Sequence, residues 1–404
     1  MNKRWIEGGI TAPKGFVAAG VASGIKTGGK GEAAKDLALI FSSTPCVAAG
    51  TFTSNRIKAA PVRVSQAHLR SPDTHAILAN SGNANACTGA EGIQNARRMA
   101  AAAAAELGVR ASQVLVASTG RIGVNLPIEK IEKACPKLVR KLAARTDASA
   151  ARAIMTSDTV PKEKALSLEL PGGKIRLGGI AKGAGMINPN MATMLCFLST
   201  DANINPRDCR RSLTAAVEQS FNRITVDGDM STNDTVFLMA NGASGVPEIE
   251  YGTPEYDLFE AALTRLCVEF AKMIVLDGEC ATKFVEVSVK GATTFSDASK
   301  MAQAIANSLL VKCALYGEDP NWGRILDAAG YSGGKIREEM VDLYYNGLLA
   351  VRNGVASGTP VSKLRRTLKQ KRICITLELH LGKAEYTAYT TDLSPGYVKF
   401  NMGE

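Results

Sequence analysis

The chain has 404 residues, a formal net charge of +10 and a hydrophobic share of 46%. This length and composition supply a sizeable core for one large or two medium domains, and they exclude a disordered or fibrous protein. No stretch approaches the roughly eighteen apolar residues of a membrane-spanning helix, and the N-terminus has no apolar run of secretory length. We therefore expect a cytoplasmic protein with no membrane partner.

Cysteine usage and the basic residues argue against two further classes of protein. The nine cysteines are scattered singly, without a Cys-x-x-Cys pair, which predicts reduced thiols and neither a disulfide framework nor a zinc site. The densest basic run, residues 363–372, has no interleaved aromatic residue, so it is more typical of a solvated helix face than of a nucleic-acid interface. We expect no metal ion and no nucleic-acid partner.

Apolar periodicity separates helical from strand-like segments along the chain. An alanine run that stops at Gly108 and an apolar stripe from Phe259 to Ile274 are typical of helices. In chain order, the expected elements are strand Ala76–Ala79, helix Asn95–Leu107, strand Val114–Ala117, helix Leu126–Cys135, strands Ala165–Leu170, Met194–Ser199 and Val236–Ala240, helix Glu255–Ile274, strand Phe284–Val289, a helix from a Ser296-Asp297 cap through Leu309, and strands Ile373–Leu379 and Tyr386–Thr391.

The order of these elements indicates the fold class. Asn346-Gly347 and Leu381-Gly382-Lys383 are typical of hairpin turns. Because several strands come in adjacent pairs and the helices are not strictly interleaved with them, the pattern favours a layered mixed α+β architecture over a doubly wound parallel sheet.

The segment 179–195 is the most unusual part of the sequence, because a glycine-rich loop leads directly into an apolar strand. It lacks the Gly-Lys-Ser/Thr ending and the Gly-x-Gly-x-x-Gly spacing of phosphate-binding loops. Asn188-Pro189-Asn190 predicts a turn that leaves Ala192-Thr193 at a tight loop-to-strand junction. A hydroxyl directly after a strained peptide bond can attack the preceding carbonyl, shift the acyl group from nitrogen to oxygen, and lose it to water.

That chemistry would leave Thr193 with a free α-amino group. Such an amine titrates at about 7.7–8.0, so part of it is unprotonated near neutral pH and can serve as base to the hydroxyl of the same residue. The chain has only three histidines, His68, His75 and His380, and none lies near a nucleophile motif. A Ser-His-Asp arrangement is therefore not favoured. Taken alone, Thr193 is equally well explained as a residue that opens a β-strand.

The surrounding motif resembles the signature of the ornithine acetyltransferase (glutamate N-acetyltransferase) family. The similar stretch runs from Lys182 to Leu195, and the resemblance spans nearly the full chain in the family's order. The other similar segments are 80–89, 118–123, 155–159, 229–235, 277–279 and 319–324. The resemblance implies a self-cleaving enzyme with the layered α/β sandwich of the N-terminal-threonine-nucleophile type, cut between Ala192 and Thr193.

The resemblance also implies roles for individual residues. Thr119 and Gly120 follow a predicted strand and would form the oxyanion hole beside the nucleophile Thr193. The substrate contacts would be Thr156, Lys182, Thr193, Glu279 and Asn401. Thr159 stands in the same motif as Thr156 and is the alternative to it. The family usually continues past an asparagine like Asn401 to a further hydroxyl residue, so that contact is expected to be absent here or supplied differently.

The activity implied by the resemblance is a ping-pong transfer of acetyl from N2-acetylornithine to L-glutamate in cyclic arginine biosynthesis. Scission would give an α chain of residues 1–192 and a β chain of residues 193–404, forming one intertwined unit in an α2β2 assembly. No cofactor is expected, and the sequence leaves open whether acetyl-CoA is also a donor. The alternatives are a self-cleaving amidohydrolase or aminopeptidase, and a binding protein that stays uncut.

Overall fold

The structure, a computed structural model, describes residues 3–26, 34–144, 148–188 and 194–402. The chain divides into two compact units. Unit 1 comprises Met1–Gly183, Asn190–Asn222 and Met230–Ile274, and unit 2 comprises Ala184–Pro189, Arg223–Asp229 and Val275–Glu404. Each unit therefore combines residues from both sides of position 192.

The described residues form fifteen strands and eleven α-helices. The strands are β1 (Lys3–Ile6), β2 (Phe16–Val21), β3 (Leu37–Phe52), β4 (Thr74–Asn83), β5 (Val114–Arg121), β6 (Lys162–Leu170), β7 (Gly173–Lys182), β8 (Leu195–Thr200), β9 (Thr235–Ala240), β10 (Phe284–Ala292), β11 (Asp342–Tyr345), β12 (Leu348–Arg352), β13 (Val355–Ala356), β14 (Arg372–Glu378) and β15 (Ala384–Thr391). The helices are α1 (Ala60–His68), α2 (Gly89–Leu107), α3 (Ile128–Arg140), α4 (Ser149–Ile154), α5 (Pro206–Glu218), α6 (Pro254–Leu276), α7 (Phe295–Asn307), α8 (Leu309–Tyr316), α9 (Trp322–Tyr331), α10 (Val361–Leu368) and α11 (Pro395–Asn401).

Unit 1 is built on a nine-stranded mixed sheet in the order β1-β6-β7-β8-β9-β3-β4-β5, with β2 paired to β3. The long strand β3 joins two halves of this sheet. Its first part pairs with β2 and β4, and its second part pairs with β9. One core cluster accordingly combines Ile77 and Leu115 of one half with Phe197 and Phe237 of the other. The two halves enclose a shared apolar layer.

On β4 and β5, the residues that directly follow Ile77 and Leu115 face the opposite side of the sheet. Leu78 and Val116 belong to a second cluster, which includes Met99 of α2 and Ile131 of α3. Because successive side chains of a strand alternate between its faces, β4 and β5 are buried on both sides. The ends of these strands are thereby held between two packed layers.

Unit 2 contains a six-stranded sheet in the order β13-β12-β11-β14-β10-β15. Alternate residues of β10, such as Val285 and Val287, pack against Met301 and Ile305 of α7 in a single core cluster. With two mixed sheets covered by helices, the structure confirms the α+β class expected from the sequence.

The structure corrects two local predictions. Residues 381–383 do not form a hairpin, because β10 lies between β14 and β15 and pairs with both. The helix predicted from Ser296-Asp297 begins at Phe295, since the Thr294 side chain accepts a hydrogen bond from the Asp297 amide at 3.1 Å. It ends at Asn307 because Ser308 caps the next helix. The predicted turn at Asn346-Gly347 is confirmed between β11 and β12.

The described ranges contain no helix with the length and apolar character needed to span a membrane. In the same ranges, no group of three or more His, Cys, Asp or Glu side chains is arranged to hold a metal ion.

Candidate active site

The segment with the predicted scissile bond connects two neighbouring antiparallel strands. Lys182, the last residue of β7, pairs with Leu195, the first residue of β8. Ala192 and Thr193 lie outside the described residues, whereas Met194 is described and buried. The sheet therefore places Lys182 opposite Leu195, which is two positions after the predicted nucleophile Thr193.

The ammonium group of Lys182 joins two other predicted site residues. The Lys182 residue is only 2% exposed, and its Nζ donates to Thr156 Oγ1 at 2.7 Å and to Thr119 Oγ1 at 3.2 Å. A hydroxyl that accepts a hydrogen bond from an ammonium keeps its own hydrogen for donation. Thr119 and Thr156 can thus each donate to a substrate oxygen.

Gly120 follows Thr119 in a backbone conformation that favours glycine. Its φ is +133°, and a Cβ atom at this position would overlap the backbone of Gly82 and Asn83 on the adjacent strand β4. In the parallel ladder of β4 and β5, Gly120 lies opposite Gly82. This close approach allows the end of β5 to expose the Gly120 backbone beside the Thr119 hydroxyl.

Asp158 is a buried partner of this group that the sequence did not single out. Its carboxylate accepts hydrogen bonds from Lys162 Nζ at 2.7 Å, the Gly183 amide at 2.7 Å and the Thr156 amide at 3.0 Å. Lys182 Nζ lies 4.0 Å from the carboxylate. Asp158 therefore anchors both the loop of Thr156 and the end of β7.

Burial alone would raise the pKa of Asp158, but the charges of Lys182 and Lys162 and the Gly183 amide outweigh it and lower the pKa to about 2. The carboxyl is consequently ionised at neutral pH. Asp158, Lys162 and Lys182 together carry one net positive charge beside Thr119. This charge suits a substrate carboxylate or a developing oxyanion.

Asp234, directly before β9, is the second acidic residue that the sequence did not single out. The Met194 amide donates to its Oδ1 at 2.9 Å, and Asp234 is fully buried. Burial raises the pKa of Asp234 well above its ordinary value, although the Met194 amide and the Lys182 charge oppose this effect. Asp234 therefore contacts the chain directly after the predicted nucleophile.

The amide-rich segment 80–89 hydrogen-bonds mainly to the protein itself. Asn80 Nδ2 donates to the Asn83 carbonyl at 2.9 Å, and Ser118 Oγ donates to Asn80 Oδ1 at 2.6 Å. Asn83 Nδ2 donates to the Val124 carbonyl at 3.0 Å. These bonds shape the ends of β4 and β5, and they give the segment a structural role.

The two remaining predicted site residues, Glu279 and Asn401, contact each other within unit 2. Asn401 Nδ2 donates to Glu279 Oε2 at 3.2 Å and to the Tyr397 carbonyl at 3.1 Å. The Glu279 amide donates to the Ala184 carbonyl at 2.9 Å. A side chain at Gly185 would overlap the Glu279 carboxylate, so the glycine leaves room for that acid.

Residues 184–188 are held firmly inside unit 2. Asp227 accepts hydrogen bonds from the Met186 amide at 2.6 Å and the Ile187 amide at 2.9 Å, and from the Tyr397 hydroxyl at 3.1 Å. Asn188 Nδ2 donates to the Gly228 carbonyl at 2.7 Å. Asp227 thus ties the segment before the predicted cut to the helix that carries Asn401.

Comparison with known proteins identifies the family. A model described as the ArgJ family matches residues 17–403. The arginine biosynthesis bifunctional protein ArgJ of Symbiobacterium thermophilum is 47% identical over 397 residues, with 98% of each chain covered. The chain belongs to the ArgJ family. The glutamate N-acetyltransferase of Methanocaldococcus jannaschii is 46% identical over 410 residues, again with 98% of each chain covered.

A solved member of the ArgJ family also matches the fold. The structure of the arginine biosynthesis bifunctional protein from Bacillus halodurans is 37% identical, with a TM-score of 0.50, and the match covers 52% of this chain and 98% of that chain. These similarities confirm the predicted family and fold class. They also confirm the prediction of an acetyltransferase of arginine biosynthesis.

Proposed function

We propose that this ArgJ-family chain transfers the acetyl group of N2-acetylornithine to L-glutamate through an acetyl ester on Thr193. The observation that carries the proposal is the buried Lys182 ammonium, which joins the Thr119 and Thr156 hydroxyls within a group of net positive charge. The name glutamate N-acetyltransferase, given to the Methanocaldococcus relative, supports the choice of acceptor.

Self-cleavage is the first step of the proposed function. The Thr193 hydroxyl attacks the Ala192 carbonyl, the peptide bond becomes an ester, and water hydrolyses the ester to free the Thr193 amine. The solved Bacillus halodurans chain supports this step, because 52% of the present chain covers 98% of it, so it is a little over half as long. The segment 193–404 is also a little over half of the chain.

Acetyl transfer follows in two half-reactions. The Thr193 amine takes the proton of its own hydroxyl, and the oxygen attacks the acetyl carbonyl of N2-acetylornithine. The oxyanion accepts hydrogen bonds from the Thr119 hydroxyl and the Gly120 amide, each worth about 3 kcal/mol in comparable acyl-transfer sites. The tetrahedral intermediate collapses, the Thr193 ammonium protonates the departing amine, and ornithine leaves. The glutamate amine then attacks the ester and releases N-acetylglutamate.

Charge complementarity supports the proposed substrate contacts. Both amino acids carry a carboxylate, which suits the cationic group of Lys182, with the Thr156 hydroxyl as a second donor. The Thr156 hydroxyl contacts Lys182, which favours Thr156 over Thr159 for this role. Glu279, hydrogen-bonded by Asn401, supplies the anion that a substrate ammonium requires.

The proposal extends to the assembly and the choice of donor. We propose a cytoplasmic α2β2 enzyme that uses no bound cofactor. Steady-state rates with N2-acetylornithine and with acetyl-CoA, at fixed glutamate, decide whether acetyl-CoA is a second donor.

Replacement of Thr193 by Ala tests the proposed function. The Thr193→Ala chain should give one uncut band on a denaturing gel and no acetyl transfer, because the nucleophile of both reactions is lost. The matched control is Thr214→Ala, which removes an exposed threonine of α5 and should be cut and active like the original chain. Full processing of Thr193→Ala would contradict the proposal.

The amidohydrolase alternative differs in the fate of the acetyl-enzyme. Hydrolysis of N2-acetylornithine without glutamate, at a rate that glutamate does not change, would identify a hydrolase. A transferase should release ornithine much faster when glutamate is added.

A further inference from the structure

The segment Ser231–Thr235, which leads into β9, consists of five consecutive buried polar residues. Burying a polar group costs free energy unless it is hydrogen-bonded, so such a run requires a compensating network. The segment belongs to the motif 229–235, to which the proposed function assigns no role. Its hydrogen bonds lead to two parts of the candidate active site.

Asp234 is bonded to the residue that follows the nucleophile. The Met194 amide donates to Asp234 Oδ1 at 2.9 Å, and the Thr235 amide donates to the Met194 carbonyl at 3.1 Å. The Met194 amide nitrogen is covalently bonded to the carbonyl carbon of Thr193. Asp234 and Thr235 therefore bond to both the amide and the carbonyl of Met194, the residue after the nucleophile.

Asn233 is bonded to the strand that carries the oxyanion donors. Its Nδ2 donates to the Ser118 carbonyl at 2.8 Å and to the Ala84 carbonyl at 2.6 Å. Ser118 immediately precedes Thr119 in β5. Two consecutive side chains thus hold the residue after the nucleophile and the residue before the oxyanion donor.

The second carboxyl oxygen of Asp234, Oδ2, is buried and accepts no hydrogen bond from the described residues. The Thr53 hydroxyl, which lies nearby, donates to the Ser231 carbonyl at 2.7 Å instead. Burial raises the pKa of Asp234 well above its ordinary value. Oδ1 can accept the Met194 amide whether the carboxyl is ionised or neutral.

We infer that Asn233 and Asp234 are positioning residues that fix the spacing between the backbone of the nucleophile and the oxyanion donors. This inference rests on the proposed function of Thr193. A displacement of about 1 Å between reacting groups can lower a rate about 100-fold, so the spacing controls the rate of both self-cleavage and acetyl transfer. Neither side chain needs to touch the substrate.

Substitutions of Asp234 in the full chain test the inference. Asp234→Ala removes the acceptor for the Met194 amide, whereas Asp234→Asn keeps an acceptor oxygen at the same place. We expect Asp234→Ala to slow self-cleavage and to lower kcat of the cleaved fraction at least about tenfold, with little change in KM for N2-acetylornithine. Asp234→Asn should restore most of both rates.

Asp208→Ala is the matched control, because Asp208 is also a buried carboxylate of unit 1 that accepts a backbone amide, from Tyr251 at 2.9 Å. It should lower the thermal midpoint without changing kcat. If Asp234→Ala does not fold, Asn233→Ala tests the same spacing from the oxyanion side, with the same expected loss of kcat.

Three results would overturn the inference. The first is that Asp234→Ala and Asn233→Ala have the same kcat as Asp208→Ala, and the second is that their kcat falls only in proportion to the thermal midpoint. The third is that Asp234→Asn is as slow as Asp234→Ala. Thr193→Ala is measured in parallel. If Thr193→Ala cleaves itself and transfers acetyl, the proposed function fails; if it is inert while Asp234→Ala matches the control, only the positioning inference fails.

Discussion

The Lys182 side chain is buried, and polar neighbours take the place of water around its Nζ. Two threonine hydroxyls accept its hydrogens, and the Asp158 carboxylate lies 4.0 Å away. Burial disfavours a charged group unless hydrogen bonds and an opposite charge compensate for the lost water. The hydrogen bonds that stabilise the cation also orient the two hydroxyls that the proposed function requires.

Lys182→Met should lower kcat/KM for N2-acetylornithine by about 10- to 100-fold, because a hydrogen bond to a charged group is worth about 1.5–3 kcal/mol. The matched control is Lys174→Met, at the start of the same strand, where the lysine is exposed and pairs with Glu169. Steady-state kinetics check the prediction. Equal kcat/KM values for the two variants would show that Lys182 does not bind substrate.

The Asp158 carboxylate should make stability depend on acidic pH. Its pKa is lowered from 3.8 to about 2 in the folded chain, so the unfolded chain binds the proton first as the pH falls. The stabilisation, about 2 kcal/mol, is complete above about pH 5 and is mostly lost as the pH falls to about 2. Urea unfolding between pH 5 and 2 measures it, and Asp158→Asn should show a flatter dependence. Parallel curves for the two chains would contradict the assignment.

At the scale of elements, the site depends on strand ends rather than on strand middles. β5 ends near Thr119 and Gly120, the proposed oxyanion donors, β7 ends at Lys182, and β8 begins just after the predicted nucleophile. The register of the parallel pairs β4–β5 and β8–β9 fixes where the strands of each pair end relative to each other. Backbone geometry at a strand end therefore contributes as much to the site as side-chain chemistry does.

Gly120→Ala should test this dependence. The added methyl group would meet the backbone of β4 and would also occupy a φ of +133°, so the end of β5 must move. We expect a lower thermal midpoint and a kcat reduced at least about tenfold, as expected for loss of an oxyanion donor. Gly123→Ala is the control, since Gly123 has a φ of +80° but open space around its Cβ position. Equal effects at both sites would mean that strain alone explains the loss.

At the scale of the whole molecule, the sequence predicted the elements that periodic apolar patterns specify. The strands β4, β5, β8 and β9 were each predicted within a few residues, because their apolar runs are short and bounded by turn residues. The hairpin at 381–383 was wrong because β10, about ninety residues earlier in the chain, inserts between the two strands. Sequence periodicity carries no information about such an insertion.

The same reason explains which site residues were missed. Thr119, Thr156 and Lys182 were predicted from motifs. Asp158 bonds to the nearby Thr156 and Lys162, but its contact with the end of β7 at Gly183 joins residues 25 positions apart. Asp234 contacts the amide of a residue 40 positions away. Hydrogen bonds of this kind depend on strand order, which a single sequence does not reveal. The available signal was the run of five polar residues 231–235, which leads directly into the apolar strand β9.

The strand order of unit 1 has a consequence for recovery from unfolding. β8 and β9, which follow the predicted cut, lie between β7 and β3, which precede it. If the chain is cut as proposed, the sheet belongs to two polypeptides, so unfolding separates them and refolding becomes a second-order reaction. Dilution should slow refolding of the processed protein, as followed by fluorescence or returning activity, but should not affect uncut Thr193→Ala. The lifetime of the mature enzyme is then set by its rate of unfolding.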